Sequence, residues 1–275
     1  MIFALLGYGR FGQAFADLLQ AAGHGVRVHD PHAEVPPALT GASLAATVAG
    51  ADWVVLAMPV PLLGHALADL RSLLDPAQTV IDVGSVKEHP CALLDDYLGD
   101  AIAHAGTHPL FGPLSLARGE PLRAVVCPSP AHPAAAARTH ALFASLGCSV
   151  VVQDPAAHDR AMAKTHALAF FIARALVEMG VGEDLSVAPP SFLGLANMLD
   201  AVRGDAGHLF AAIQRENPYA DAAREELLQH LQRIQRRLRA SDEAMPIPPP
   251  DAAATPVSPR PRQAGDPASP RDTSG

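Results

Sequence analysis

Through the first 150 residues, short apolar runs of strand length alternate with segments of helical period. The runs fall at residues 2–6, 26–29, 53–58, 79–83, 101–106, 123–127 and 149–153. This alternation predicts a parallel sheet with helices over both faces. Near-continuous apolar strands imply burial on both sides. After Asp154 the strand-like runs stop. Residues 156–178 carry Met162, Leu168, Phe171, Ala175 and Leu176 at helical spacing. Further helices are expected over 191–202, 206–215 and 218–239, with breaks at Pro189-Pro190 and Asn217-Pro218.

The pattern divides the chain into an α/β domain over 1–153, an all-helical domain over 154–240 and a tail over 241–275. Residues 246–275 hold nine of the 26 prolines and almost no large apolar side chain. Such a segment cannot offset the entropy lost on ordering and is expected to be disordered. The helical domain would bury a thin core by itself, so its helices are expected to pack on a second subunit as a homodimer.

Charge narrows the class of partner. The formal net charge is -8, which argues against a nucleic-acid binder. The basic run Arg233, Arg236, Arg237 and Arg239 reads as a solvated helix end that complements the helix dipole. The opening run at residues 2–6 stops at Gly7, and no run of 18 or more apolar residues follows, so neither a signal peptide nor a membrane span is expected. Three scattered cysteines suit a reducing cytosol. No metal site is expected.

Gly7-Tyr8-Gly9-Arg10-Phe11-Gly12 fits G-x-G-x-x-G between the first strand and the first helix. Gly7 would make a tight turn, Gly9 would let backbone approach a pyrophosphate, and Gly12 would pack helix on strand. The helix N-terminus would face the phosphates. Asp30, 18 residues beyond Gly12, ends the second strand, where a carboxylate accepts ribose hydroxyls and repels a 2′-phosphate. These features imply a Rossmann-type, doubly wound domain that binds NAD. Arg27, His29 and His32 leave NADP open.

Two loops lie where such a sheet places its ligands: Asp82-Val83-Gly84-Ser85-Val86-Lys87, and Gly106-Thr107-His108-Pro109-Leu110-Phe111-Gly112-Pro113. A dehydrogenase acting on an alcohol needs a base for the hydroxyl proton, and a neutral histidine suits that task. With the later His158-Asp159-Arg160-Ala161-Met162-Ala163-Lys164-Thr165-His166, these motifs make residues 2–240 resemble the prephenate/arogenate dehydrogenase family of tyrosine biosynthesis. The resemblance implies NAD(P)-dependent oxidative decarboxylation of a cyclohexadienol. It implies that His108 binds and deprotonates the ring hydroxyl. Ser85 would orient that histidine beside the nicotinamide, Lys87 would support the loop or meet a carboxylate, and His166 would lie near the substrate. The family arginine for a substrate carboxylate is missing from 191–198. Arg203, Arg118, Arg123 or Lys87 would have to replace it. Prephenate, arogenate and a modified prephenate therefore all stay open.

Two other readings compete. A β-hydroxyacid dehydrogenase or imine reductase would use Lys164 on the long helix. A non-catalytic NAD-binding protein would use the Pro-rich tail as its contact segment.

Overall fold

Alternate residues of the first strands enter different cores. In the computed structural model, which describes residues 1–183, 186–204 and 207–240, the sheet strands are β1 (Ile2–Leu6), β2 (Gly25–His29), β3 (Trp53–Leu56), β4 (Thr79–Asp82), β5 (Ala103–Pro109), β6 (Arg123–Pro128) and β7 (Ser149–Val152). The helices are α1 (Arg10–Ala21), α2 (Leu44–Val48), α3 (Leu63–Leu70), α4 (Glu88–Leu98), α5 (Pro113–Ala117), α6 (Pro133–Ser145), α7 (Pro155–Met162), α8 (Leu168–Glu178), α9 (Pro190–Arg203), α10 (His208–Ala211) and α11 (Ala220–Ala240).

Phe3, Leu5, Trp53, Val55 and Ile81 pack with Phe15 and Leu19 of α1 and Leu142 and Phe143 of α6. Their neighbours Ala4, Leu6, Val54, Leu56 and Val80 pack with Leu63, Leu67 and Leu70 of α3 and Leu94 and Leu98 of α4. Side chains that alternate across each strand thus fill two layers, as a sheet covered on both faces requires.

The strand order is β2-β1-β3-β4-β5-β6-β7. β1 pairs in parallel with both β2 and β3, so the order in which strands are added across the sheet reverses at β1. Ligands of such sheets bind outside the carboxyl ends of the strands at this switch point.

The sheet departs from a wholly parallel one at β5, which pairs antiparallel with β6. Only residues 110–122, with the short α5, connect these two strands. That stretch lacks a full crossover helix of the kind parallel neighbours need. β7 also differs from the expected two-sided burial. It is an edge strand, and Val151 and Val152 are exposed.

Asp154 opens the helical half. Its side chain accepts from Ala157 N at 3.0 Å, with Pro155 in the first helical position, the usual start signal for a helix. α7 and α8 then form the long helix expected over 156–178, with one π-helical turn, Ala163–Ala167, between them. A second π-turn, Ala212–Glu216, follows α10. From it Gln214 Nε2 donates to Ala167 O at 2.7 Å, meeting a carbonyl of the first π-turn. The buried apolar residues here form two small groups, Ala167 with Ile213 and Ala220, and Ala173 with Leu199 and Val202.

Residues Met1–Leu231 make one compact unit, and residues 232–240, the end of α11, fall outside it. Arg233, Arg236, Arg237 and Arg239 on that end are exposed. The proline-rich segment lies outside the described residues.

Candidate active site

The first wall of the site is the turn from β1 into α1. Gly7 has φ 107°, and a Cβ there would sit 2.4 Å from Ala57 O. Only glycine relieves both demands. A Cβ on Gly12 would meet Gly7 O at 2.4 Å, whereas one on Gly9 would meet nothing within 4 Å. Gly9 is the N-cap of α1 and brings no side-chain hydrogen bond. Unobstructed backbone at an uncapped helix N-terminus is what a pyrophosphate needs, so these residues fit a dinucleotide.

Asp30 follows β2. Its Oδ2 accepts from Tyr8 N at 2.6 Å, and its Oδ1 from His32 N at 2.8 Å and Ala33 N at 3.1 Å. Burial pushes its carboxyl pKa upward, but these three N–H groups and the nearby His32 outweigh that and hold it below the usual value. Arg27, which stands before it, donates to Ala46 O at 3.0 Å and Ala49 O at 2.8 Å. Its guanidinium is thereby tied to the backbone around α2.

The other residues of the glycine motif face elsewhere. The Tyr8 side chain is buried in the core, and Phe11 stacks with Phe15 and packs against Phe111. Arg10 donates to Gly204 O. On this wall Gly7, Gly9, Gly12 and Asp30 are thus the residues whose geometry fits a dinucleotide.

The second wall comes from β4 and β5. Lys87 is fully buried, and its ammonium donates to Asp82 Oδ2 and Thr107 O. Asp82 also accepts from Gly84 N at 2.8 Å and Thr107 N at 3.2 Å. Lys87 thus pins the β4 loop to β5 and has no exposed face for a substrate carboxylate. Of the two roles expected of Lys87, loop support and a substrate carboxylate, these contacts supply the first.

His108 lies inside β5, opposite Val125 of β6, and not in the loop beyond the strand as the apolar run at 101–106 implied. Its ring is held by the first residue of the third motif, to which the sequence assigned no role. Nδ1 of His108 is 2.9 Å from Nε2 of His158, and Nδ1 of His158 is 2.7 Å from Asp159 Oδ1. Ser85, expected to orient His108, is half-buried in the β4 loop and makes no side-chain hydrogen bond among the described residues.

His166, on the π-turn, stacks on His108 at 6.1 Å between ring centroids and meets Phe170 edge-on at 4.8 Å. The structure thus joins His108 and His166, which the sequence placed 58 residues apart. Burial drives the His108 pKa well below its ordinary value, aided by His158, His166 and Lys87. Burial, then His158, lowers His166 to about 4. Both rings are neutral at pH 7, and a neutral imidazole can accept a proton.

Arg203 ends α9 and is not drawn into this cluster by any described contact. It donates to Val181 O at 3.0 Å and lies 3.7 Å from Asp200. Lys164 is exposed on the π-turn.

The signal for the missed pair is local. His158-Asp159 opens a helix, and a buried carboxylate beside a histidine marks a tautomer held in place. Asp159 does more. Its Oδ1 accepts from Lys87 N at 2.8 Å and its Oδ2 from Glu88 N at 2.9 Å, so it caps α4 from another element.

Comparisons with known proteins point the same way as the geometry. Residues 39–123 match the family model described as prephenate dehydrogenase, nucleotide-binding domain. The 4-amino-4-deoxyprephenate dehydrogenase of Streptomyces pristinaespiralis is 31% identical over 210 residues, covering 74% of this chain and 69% of that protein. Among solved structures, a Corynebacterium glutamicum protein assigned to prephenate dehydrogenase aligns with TM-score 0.72 and 21% identity over 88% of this chain and 83% of its own. Prephenate dehydrogenase from A. aeolicus, in complex with hydroxyphenyl propionate and NAD+, aligns with TM-score 0.65 and 21% identity over 87% and 92%. At such identities the solved structures speak for the fold.

Proposed function

The chain belongs to the prephenate dehydrogenase family of oxidoreductases, and on that premise we propose that it uses NAD to oxidise and decarboxylate a cyclohexadienol of the prephenate or arogenate type. The observation that carries this reading is the buried, neutral His108 beside His166, on the strand end next to the β4 loop.

Bound NAD supplies the acceptor for the hydride that leaves the ring carbon bearing the hydroxyl. His108 Nε2 takes the hydroxyl proton as that carbon becomes a carbonyl. The ring carboxylate then departs as CO₂, its bonding electrons complete the aromatic ring as the carbonyl becomes a phenolate, and that oxygen recovers the proton from His108. Burial of His108, His158 and Asp159 keeps water from competing for the proton. A positioned base of this kind contributes about 10²- to 10⁴-fold. Asp30 favours NAD, and the engagement of Arg27 with two carbonyls leaves it unfitted to hold a 2′-phosphate.

A 4-amino substrate is the second reading, favoured by the relative whose name carries that substrate. His108 would then take an N–H proton. Arg203 is the proposed partner for a substrate carboxylate, and Ser85 the proposed contact beside the nicotinamide. The helical half is proposed to complete the site and to form a homodimer. Leu228, Leu231, Ile234 and Leu238 recur along α11 and are exposed, which supports an apolar face awaiting a partner. No described helix is long and apolar enough to cross a membrane. The free Cys91, Cys127 and Cys148 support a cytosolic setting.

The test is NADH or NADPH formation by the purified full chain with prephenate, arogenate or 4-amino-4-deoxyprephenate, each with NAD and with NADP. Turnover of at least one substrate with NAD, lost in His108→Asn, is expected, and Asp30→Ala should weaken NAD more than NADP. No product from any pairing, or full activity of His108→Asn, would overturn the proposal.

A further inference from the structure

His158 and Asp159 lie outside the roles that the motifs assign, yet they hold the most constrained contacts of the site. Both side chains are fully buried. Asp159 is satisfied on every side: Lys87 N and Glu88 N donate to its two oxygens, and His158 Nδ1 lies at 2.7 Å from Oδ1. Its backbone carbonyl accepts from Asn217 Nδ2 at 2.8 Å. A carboxylate only accepts, so His158 must carry its proton on Nδ1. With that proton on Nδ1, Nε2 of His158 accepts, and among the described residues the group presented to it, at 2.9 Å, is His108 Nδ1. His108 must donate there, which puts its own lone pair on Nε2, a nitrogen with no hydrogen bond among the described residues.

Resting on the dehydrogenase reading above, we propose that Asp159 and His158 are positioning residues that fix His108 as the Nδ1–H tautomer, so that Nε2 is the base presented to the substrate. The proton balance follows. The substrate O–H bond breaks and an N–H bond forms at His108 Nε2. The Nδ1–H bond of His108 stays intact and is donated to His158, whose own Nδ1–H remains on Asp159. The positive charge that builds on His108 is compensated through this chain by the Asp159 carboxylate, without moving a proton to it. A direct Asp–His pair would bring the carboxylate to the reacting ring. An interposed histidine keeps it one ring away, so His108 stays neutral before reaction while its tautomer is dictated. The same carboxylate caps α4, which follows the β4 loop, so the base and that loop share one anchor.

The test combines a spectroscopic and a kinetic readout on the full chain. Long-range ¹H–¹⁵N correlations of histidine-labelled protein near pH 7.5 report the tautomer of each ring, and His158→Gln identifies the His158 signals. Both His108 and His158 are expected as Nδ1–H tautomers. In Asp159→Asn the amide oxygen at the Oδ1 position still accepts from Lys87 N and His158 Nδ1, so both tautomers should persist while the compensating charge is lost. With the substrate found active, Asp159→Asn and His158→Leu should lower kcat by about 10²- to 10⁴-fold, with KM changed less than about threefold. His158→Gln keeps an acceptor oxygen and should retain at least tenfold more activity than His158→Leu. Wild-type His108 in the Nε2–H tautomer would overturn the proposal, as would an unchanged kcat in folded Asp159→Asn. Because the wild-type spectrum needs no substrate and no variant fold, the predicted tautomers in a protein inactive on every dienol would sink the function and keep the relay. Activity with the opposite tautomers would do the reverse.

Discussion

Gly9 and Gly12 belong to one motif but carry separable demands, and alanine at each should separate them. At Gly12 the new Cβ lies 2.4 Å from Gly7 O and 3.2 Å from its carbonyl carbon, against about 3.5–4.0 Å for comfortable contact. The shortfall is roughly 1 Å. The obstructing carbonyl cannot swing aside, because Gly7 N donates to His29 O at 3.0 Å and the residue packs on Ala57. Helix α1 must lift from β1, disturbing Phe15 and Leu19, which are fully buried. Overpacking of this kind costs about 1–3 kcal/mol, and a backbone obstacle puts it at the upper end. Alanine's better helix propensity returns about 1 kcal/mol, leaving a net loss of about 2 kcal/mol. At Gly9 the Cβ enters open space at φ -66°, so stability should fall by only about 0.5 kcal/mol, the poorer N-cap. The methyl nevertheless occupies the approach of the pyrophosphate, and NAD affinity should drop at least tenfold, about 1.4 kcal/mol. Urea unfolding of both variants and calorimetric titration with NAD read the two effects separately. Equal destabilisation by the two alanines would refute the division of roles, and so would Gly9→Ala binding NAD as tightly as the parent.

Lys87→Met should lower stability by about 3–5 kcal/mol in urea, since it leaves the buried Asp82 carboxylate without its partner. An unchanged midpoint with a raised KM would restore Lys87 to the substrate. Acidification should also destabilise the protein through His108 and His166. Their folded pKa values lie below the unfolded value of about 6.5, so the unfolded chain binds more protons between pH 6.5 and about 4, the value of His166. Stability tied to these rings is complete above pH 6.5 and lost progressively toward pH 4. His166→Phe should flatten that slope in thermal melts taken across this range, and an undiminished slope would exclude His166 as a source.

Much of this fold is legible in the chain because its causes are local. The seven apolar runs predicted the strands to within a few residues at each end, since a strand buried on both faces must be apolar throughout. Gly7, Gly9 and Gly12 were legible because backbone geometry constrains residue choice directly. The long helix of the second half was visible from its period. The π-turn that offsets His166 within it was not, because it answers to Gln214 and Ile213, some 47 residues further along. The antiparallel turn of β6 was hidden for a similar reason. Strand composition does not record direction, and only the short connection through α5 does.

By itself, the sequence determined the layered sheet, the nucleotide turn and the histidine beside it, because each is written in the spacing of neighbouring residues. The tertiary structure decided how the polar groups pair. It buried Lys87 against Asp82, where a lysine in a ligand loop had read as a loop support or a carboxylate contact, and it set His158 beside His108. Such pairings form between elements far apart in the chain, and what selects them is the need of each buried donor and acceptor for a partner. That need arises only once folding has removed the water.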